Sequence, residues 1–392
     1  MKFAFQIVLC LCLFACGNKE EIIINPPSDE RGYLVSYNKT GSMTADRIIA
    51  INQAEGDVSN YVNYTIDIYS VTYNSLENEN PIEVSGLVLV PQIKSGAVDL
   101  IQYHHGTIIP GDEGTPSNYS GGATESIEMY FLGATMASNG YIVAFPDYVG
   151  YGVTADREHP YTMHHELAEV SVDLIRATKQ LMTTLDIEFS NNAFSTGWSE
   201  GGGAGLAMHK YLQEKYSNVA NIKASSLFAG PYDYAAFFKD VFVNPKLQTE
   251  NMSIYNWSLY SLNNLDRELS RPASDIWTYP VANQIDALDI PSFQASDLFK
   301  KDFIESEVNN PNSGFSKAVQ DNSLIEGWIP QGYLFFHSGT EDFIVPHYNS
   351  TNAHEYFKAI NVNSTLYEYV GDDHYTPVYD YLTKTLDDFN SL

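Results

Sequence analysis

The chain has 392 residues, 44% hydrophobic and 13% aromatic, which excludes a disordered or fibrous protein and allows one large α/β domain with an insertion, or two domains. Its 21 Lys and Arg against 49 Asp and Glu give a formal charge of −28, and a surface that acidic repels phosphate backbones, so nucleic acid is not an expected partner. All three cysteines (Cys10, Cys12, Cys16) fall within the first sixteen residues, so no disulfide is expected to hold the body of the chain together.

In chain order, Lys2 followed by the apolar run Phe3 to Ala15 reads as a secretory leader, residues 1–15, with a core too short to span a bilayer. Leu13-Phe14-Ala15-Cys16 resembles a bacterial lipoprotein processing box, which implies Cys16 as the lipidated first residue of the mature chain. Gly17-Asn18-Lys19-Glu20-Glu21 resembles the signal that follows the lipidated cysteine in surface-exported lipoproteins. The two together imply an exported protein held at the outer membrane by lipid alone, on its periplasmic or its outer face. Residues 16–32, with Pro26-Pro27, read as a tether.

From residue 33 to 230 strand-like and helix-like segments alternate, predicting an α/β core built on a mostly parallel sheet. Val62, Tyr64, Ile66 and Ile68 alternate with polar residues as an early antiparallel or edge strand. Further strands are expected at Ile82 to Val90, Val98 to Tyr103, Tyr141 to Pro146, Asn192 to Thr196 and Ile222 to Ala229. Helices are expected at Thr124 to Asn139, His165 to Leu185 and Glu200 to Tyr216. Residues 231–328 lose the alternation and are rich in aromatics and Asn; this stretch is too long for a plain loop, so it reads as an inserted helical cap. The core resumes over 329–392 with strands at Tyr333 to Phe336 and Leu366 to Val370 and a terminal helix from Thr376 to Phe389.

Gly197-Trp198-Ser199-Glu200-Gly201 lies where a strand runs into a helix. A serine between glycines on such a turn is forced into strained backbone that lifts its hydroxyl above the sheet, and the next amide, that of Glu200, points to the same spot. The competing reading is a glycine-rich helix start that serves packing alone. A phosphate loop fits less well, because no Gly-Lys-Ser/Thr follows.

A serine hydroxyl needs a base, and the base needs a carboxylate to orient it, in the chain order serine, acid, histidine. Asp342 lies just past the Tyr333 strand, with Glu341 beside it as the alternative acid; His374 lies in Gly371-Asp372-Asp373-His374, between the last strand and last helix. His347 and His354 are weaker candidates for the base. A second oxyanion donor belongs in the loop after the third core strand, where His104-His105-Gly106-Thr107 offers the Thr107 amide, with Gly106 as the alternative. The His104-His105 pair lacks a third ligand at metal-site spacing and His164-His165-Glu166 is not a His-Glu-x-x-His zinc signature, so no metal and no cofactor is expected.

These segments together resemble the α/β-hydrolase superfamily and, within it, the secretory lipase family related to Candida antarctica lipase A. The motifs that carry the resemblance are His105-Gly106-Thr107, Pro146-Asp147-Tyr148-Val149-Gly150-Tyr151-Gly152, Gly197 to Gly202, Asp342 with Val345-Pro346, and His374. It implies an eight-stranded sheet, a cap inserted after the sixth strand, hydrolysis of carboxylic esters, and a pocket bordered by His105, Gly106, Asp147, Tyr148, Tyr151 and Trp198; for the loop from Asp147 to Gly152, a glycine-rich turn with a buried Asp stands as an equal alternative to substrate contact. Two rivals stand beside it: a serine peptidase of the prolyl-oligopeptidase type, and a non-catalytic surface lipoprotein that binds glycans.

Overall fold

The computed structural model describes residues 22–23, 30–112, 114–122, 126–266 and 268–392; the expected leader, Cys16 and most of the expected tether lie outside the described residues. Ten strands form one sheet: β1 (Ile22–Ile23), β2 (Leu34–Met43), β3 (Ile66–Glu77), β4 (Asn80–Pro91), β5 (Val98–His104), β6 (Ile142–Pro146), β7 (Phe189–Trp198), β8 (Asn221–Phe228), β9 (Tyr333–Gly339) and β10 (Asn363–Tyr369). Their spatial order is β1-β2-β3-β4-β6-β5-β7-β8-β9-β10. Strands β1 to β4 are antiparallel, β4 meets β6 antiparallel, and every pairing from β6 to β10 is parallel.

Side-chain alternation explains the two-sided core. On β4, Leu87 and Leu89 join a cluster with Phe145, Phe194 and Phe389, whereas Val88 and Val90 join the opposite one with Leu100, Leu174 and Met208. Helices therefore cover both faces. On one side lie α1 (Ala45–Asn52), α2 (Ala134–Asn139) and the terminal helix Val378–Asn390; on the other lie α3 (His164–Thr184) and α4 (Glu200–Glu214). The central strand β6 is buried at all five positions, as a strand covered on both faces must be.

The sheet differs from the expected eight strands at its antiparallel edge. Strand β2 (LVSYNKTGSM) is half polar and slips register between Lys39 and Gly41, which breaks the period-two signal. Strand β3 begins at Ile66, so Val62 and Tyr64 precede it. Within the expected tether, Ile22 and Ile23 pair with Tyr37 and Ser36, and the Arg31 guanidinium holds Glu169 at 2.5 Å, Asp173 at 2.8 Å and the Tyr216 hydroxyl at 3.0 Å. The end of that segment is thus pinned to α3 rather than free. Arg31→Ala leaves the fully buried Asp173 with only Ser75 and Arg176, and we expect a loss of about 2 kcal/mol in a urea titration. A midpoint unchanged from wild type would mean the pin is decorative.

Between β8 and β9 the chain leaves the sheet and forms helices, the longest being α5 (Tyr234–Val243) and α6 (Met252–Leu265), followed by shorter ones up to Gly314–Asp321. They enclose their own core of Phe237, Phe242, Trp257, Trp277, Phe303 and Phe315. This insertion is bound to the sheet domain by polar contacts: Tyr255 Oη donates to the Ile344 carbonyl (2.8 Å), Asn352 Nδ2 to Asp233 (2.7 Å) and the His159 amide to Gln284 (3.1 Å). Among the described residues no helix is long and apolar enough to cross a membrane.

Candidate active site

The turn between β7 and α4 sets the geometry. Ser199 sits at φ 61°, ψ −124°, a conformation rarely adopted by a side-chain-bearing residue, and its amide donates to the Phe228 carbonyl at 2.9 Å. The neighbours are glycines for a steric reason: a Cβ on Gly201 would collide with the His104 carbonyl, and one on Gly197 with the carbonyls of Gly201 and His104. Ser199 itself stays partly exposed above the sheet.

Two loops meet beside it. His374 follows β10 and Asp342 follows β9; the loops are laced by Thr340 N to Tyr369 O (3.0 Å) and Glu341 N to Asp372 O (2.9 Å). Asp342 Oδ1 accepts the amides of Ile344 and Val345, both at 2.9 Å, and Oδ2 faces His374 Nδ1 at 2.7 Å. Both residues are about 3% exposed, so water competes little for that hydrogen bond. A proton held on Nδ1 leaves Nε2 as an acceptor. Glu341 is exposed and Asp342, not Glu341, is paired with His374.

His374 is fixed against the serine turn itself. Trp198 Nε1 donates to the His374 carbonyl at 3.1 Å, and the His374 ring lies 5.9 Å from that of Trp198 and 6.5 Å from that of Phe228, the two residues that flank and hold Ser199. The other two candidate histidines lie elsewhere: His347 Nε2 faces Glu368 and His354 Nδ1 faces Ser364.

On the opposite side runs the loop after β5. A Cβ built on Gly106 would stand 3.5 Å from Ser199 Cβ and 3.1 Å from the Trp198 carbonyl, so this loop passes directly beside the serine. The Gly106 amide donates to both oxygens of Glu128, at 2.9 and 3.2 Å, so of the two expected donors this one is already engaged. Thr107 Oγ1 meets the Tyr161 hydroxyl at 2.6 Å. The Glu200 side chain turns inward, where Oε1 accepts from Thr162 N (2.9 Å) and faces His159 Nε2 (3.0 Å).

The expected pocket residues separate into two groups. Trp198 and Gly106 border Ser199, as described above. Asp147 is fully buried and spends its carboxylate on Ser85 Oγ (2.6 Å) and Ser117 N (2.8 Å), so it braces a turn rather than lining a pocket. Tyr148 is also wholly buried, with its ring 4.3 Å from that of His105, and Tyr151 bonds the Ile108 carbonyl; both support the loop from beneath. His105 itself faces the carbonyls of Gly106 (2.7 Å) and Asp147 (3.3 Å), and His104 that of Thr196 (3.0 Å), so the paired histidines bind backbone. Among the described residues no three His, Cys, Asp or Glu side chains group as a metal site.

Glu128, His159 and Tyr161 were not legible as site residues. A trace of Glu128 exists in the sequence, since it interrupts the otherwise apolar Ile127, Met129, Phe131 and Leu132; His159 and Tyr161 sit in a loop with no periodic signal. Burial raises the Glu128 carboxyl to about pH 7, against the lowering effect of the Gly106 and Tyr103 hydrogen bonds. The folded state therefore holds this proton more tightly than the unfolded chain does. The stability contributed is fully present below the unfolded pKa, about 4.5, and is lost as the pH rises through about 7. We expect Glu128→Gln to flatten that decline in unfolding free energy measured from pH 4.5 to 8, whereas a decline of unchanged steepness would assign it to other groups.

The fold that carries these residues is the α/β-hydrolase fold, a mixed sheet with a serine turn between a central strand and its helix. No protein-family model matches the sequence, and no curated protein matches it. Solved structures do resemble it: the rice cell wall degrading esterase LipA from Xanthomonas oryzae has a TM-score of 0.78 at 20% identity, over 92% of this chain and 99% of that one. Candida antarctica lipase A in its closed state has a TM-score of 0.63 at 14% identity, over 89% of this chain and 80% of that one.

Proposed function

We propose that the protein is a serine hydrolase of carboxylic esters. The observation that carries the reading is the Asp342–His374 pair, bonded at 2.7 Å and held by Trp198 against the strained turn of Ser199. His374 Nε2 takes the Ser199 proton as Oγ bonds to the acyl carbon, and the carbonyl π electrons move onto oxygen. The amides of Glu200 and Thr107 bind that oxyanion, each a contribution of about 3 kcal/mol. Collapse breaks the bond to the alcohol, which leaves with the proton from His374. Water then adds by the same route and releases the carboxylic acid, restoring Ser199. Asp342 holds the imidazole tautomer and stabilises the imidazolium throughout. No step calls for a cofactor.

The likeness to an esterase and a lipase supports an ester over a peptide bond. A panel of p-nitrophenyl esters against aminoacyl p-nitroanilides tests the choice; fast anilide turnover with slow ester cleavage would favour a peptidase. We infer further that the chain is exported and anchored by lipid at Cys16, which brings the site to esters outside the cytoplasm. Incorporation of labelled palmitate that is lost on Cys16→Ser supports the anchor; a Cys16→Ser protein labelled like wild type refutes it.

A further inference from the structure

Glu128 lies outside the catalytic trio and behind the loop that faces it. It belongs to a single π-helical turn, Glu128–Gly133, that leads into α2, and it is 8% exposed. Its Oε2 accepts from Tyr103 Oη at 2.8 Å, so the carboxyl is fixed from β5 as well as from the loop. With Gly106 N donating to it, the carboxyl grips the residue immediately before the expected oxyanion donor. One residue, His105, separates β5 from Gly106 and Thr107, and this short loop passes beside Ser199. The Thr107 amide belongs to the next peptide, so fixing the Gly106 amide restricts where the Thr107 amide can point beside Ser199. On its far side Thr107 is held through Tyr161, whose ring stacks on Trp257 of α6 at 4.1 Å and 4°.

We propose that Glu128 is a positioning residue for the oxyanion hole: by holding the Gly106 amide it aims the Thr107 amide at the oxygen that becomes charged. The inference rests on the ester-hydrolase reading. It predicts a loss in the transition state only, because the loop's aim matters once negative charge develops.

The test compares Glu128→Leu, which fills the space without an acceptor, with Glu128→Gln, which keeps an oxygen for Gly106. Tyr103→Phe, which releases the carboxyl from β5 without emptying the site, guards against a Glu128→Leu variant that does not fold. Steady-state kinetics on a p-nitrophenyl ester are paired with inhibition by a trifluoromethyl ketone, which adds to serine as a tetrahedral oxyanion, and by the matching unreactive alcohol. For Glu128→Leu we expect kcat to fall by about tenfold to hundredfold, with KM within about twofold. Ketone affinity should fall by the same factor and alcohol affinity should hold. Glu128→Gln should stay within about threefold of wild type, and Tyr103→Phe should show a smaller loss of the same kind. Folded Glu128→Leu or Tyr103→Phe enzymes with wild-type kcat and ketone affinity overturn the inference, and so do losses confined to KM. A Ser199→Ala protein that still hydrolyses the ester overturns the underlying reading instead, whatever the Glu128 variants do.

Discussion

Ser199→Ala is expected to lower kcat by about 10⁶, to the residual rate that an oxyanion hole and substrate binding give without a nucleophile. KM should change little, since the lost hydroxyl bonds the acyl carbon only as the reaction proceeds. Stability should hold or rise, because alanine removes a polar atom without adding bulk at a backbone already strained at φ 61°. Circular dichroism and a urea titration beside the kinetics separate a dead site from a damaged fold. A folded variant that retained ester turnover would place the chemistry elsewhere in the molecule.

The second large effect concerns the choice of acid. Asp342→Asn keeps the shape of the carboxylate but presents an amide to His374 Nδ1, favouring the wrong tautomer, and is expected to cost about 10⁴ in kcat. Glu341→Gln should lie within about twofold of wild type, because that side chain is exposed while its neighbour faces the imidazole. If instead Glu341→Gln were the damaging change, the loop after β9 would have to rotate on binding substrate. The comparison needs only two variants and one ester, and it tests the base and its orienter together.

What the sequence disclosed follows physical signals of different strength. The serine turn is legible because strained backbone demands glycines at fixed offsets, and Gly197 and Gly201 stand there. The parallel strands are legible because burial on both faces leaves nearly unbroken apolar runs, as in Ile142–Pro146. The antiparallel edge was harder: the bulge in Leu34–Met43 destroys the alternation by which such a strand is recognised. Between Glu341 and Asp342 no local pattern could choose, since the decision is made by a loop 32 residues further on. Asp147 stayed open between a pocket contact and a buried turn residue for a similar reason, its partners Ser85 and Ser117 being 62 and 30 residues away in the chain. Glu128 belongs to the same class, a group whose purpose is set by a glycine amide on another segment.

The polar bridges between the insertion and the sheet have a consequence for how the molecule comes apart. Tyr255 caps carbonyls in the very loop that carries Asp342, and Trp257 stacks on the tyrosine that bonds Thr107. The insertion's aromatic centre and the loops that carry Thr107 and Asp342 therefore form one cooperative unit: melting either removes partners from the other. Heat should extinguish catalysis and the tertiary signal of Trp257 and Trp277 along a single curve, with no warm interval in which a bare hydrolase core keeps working.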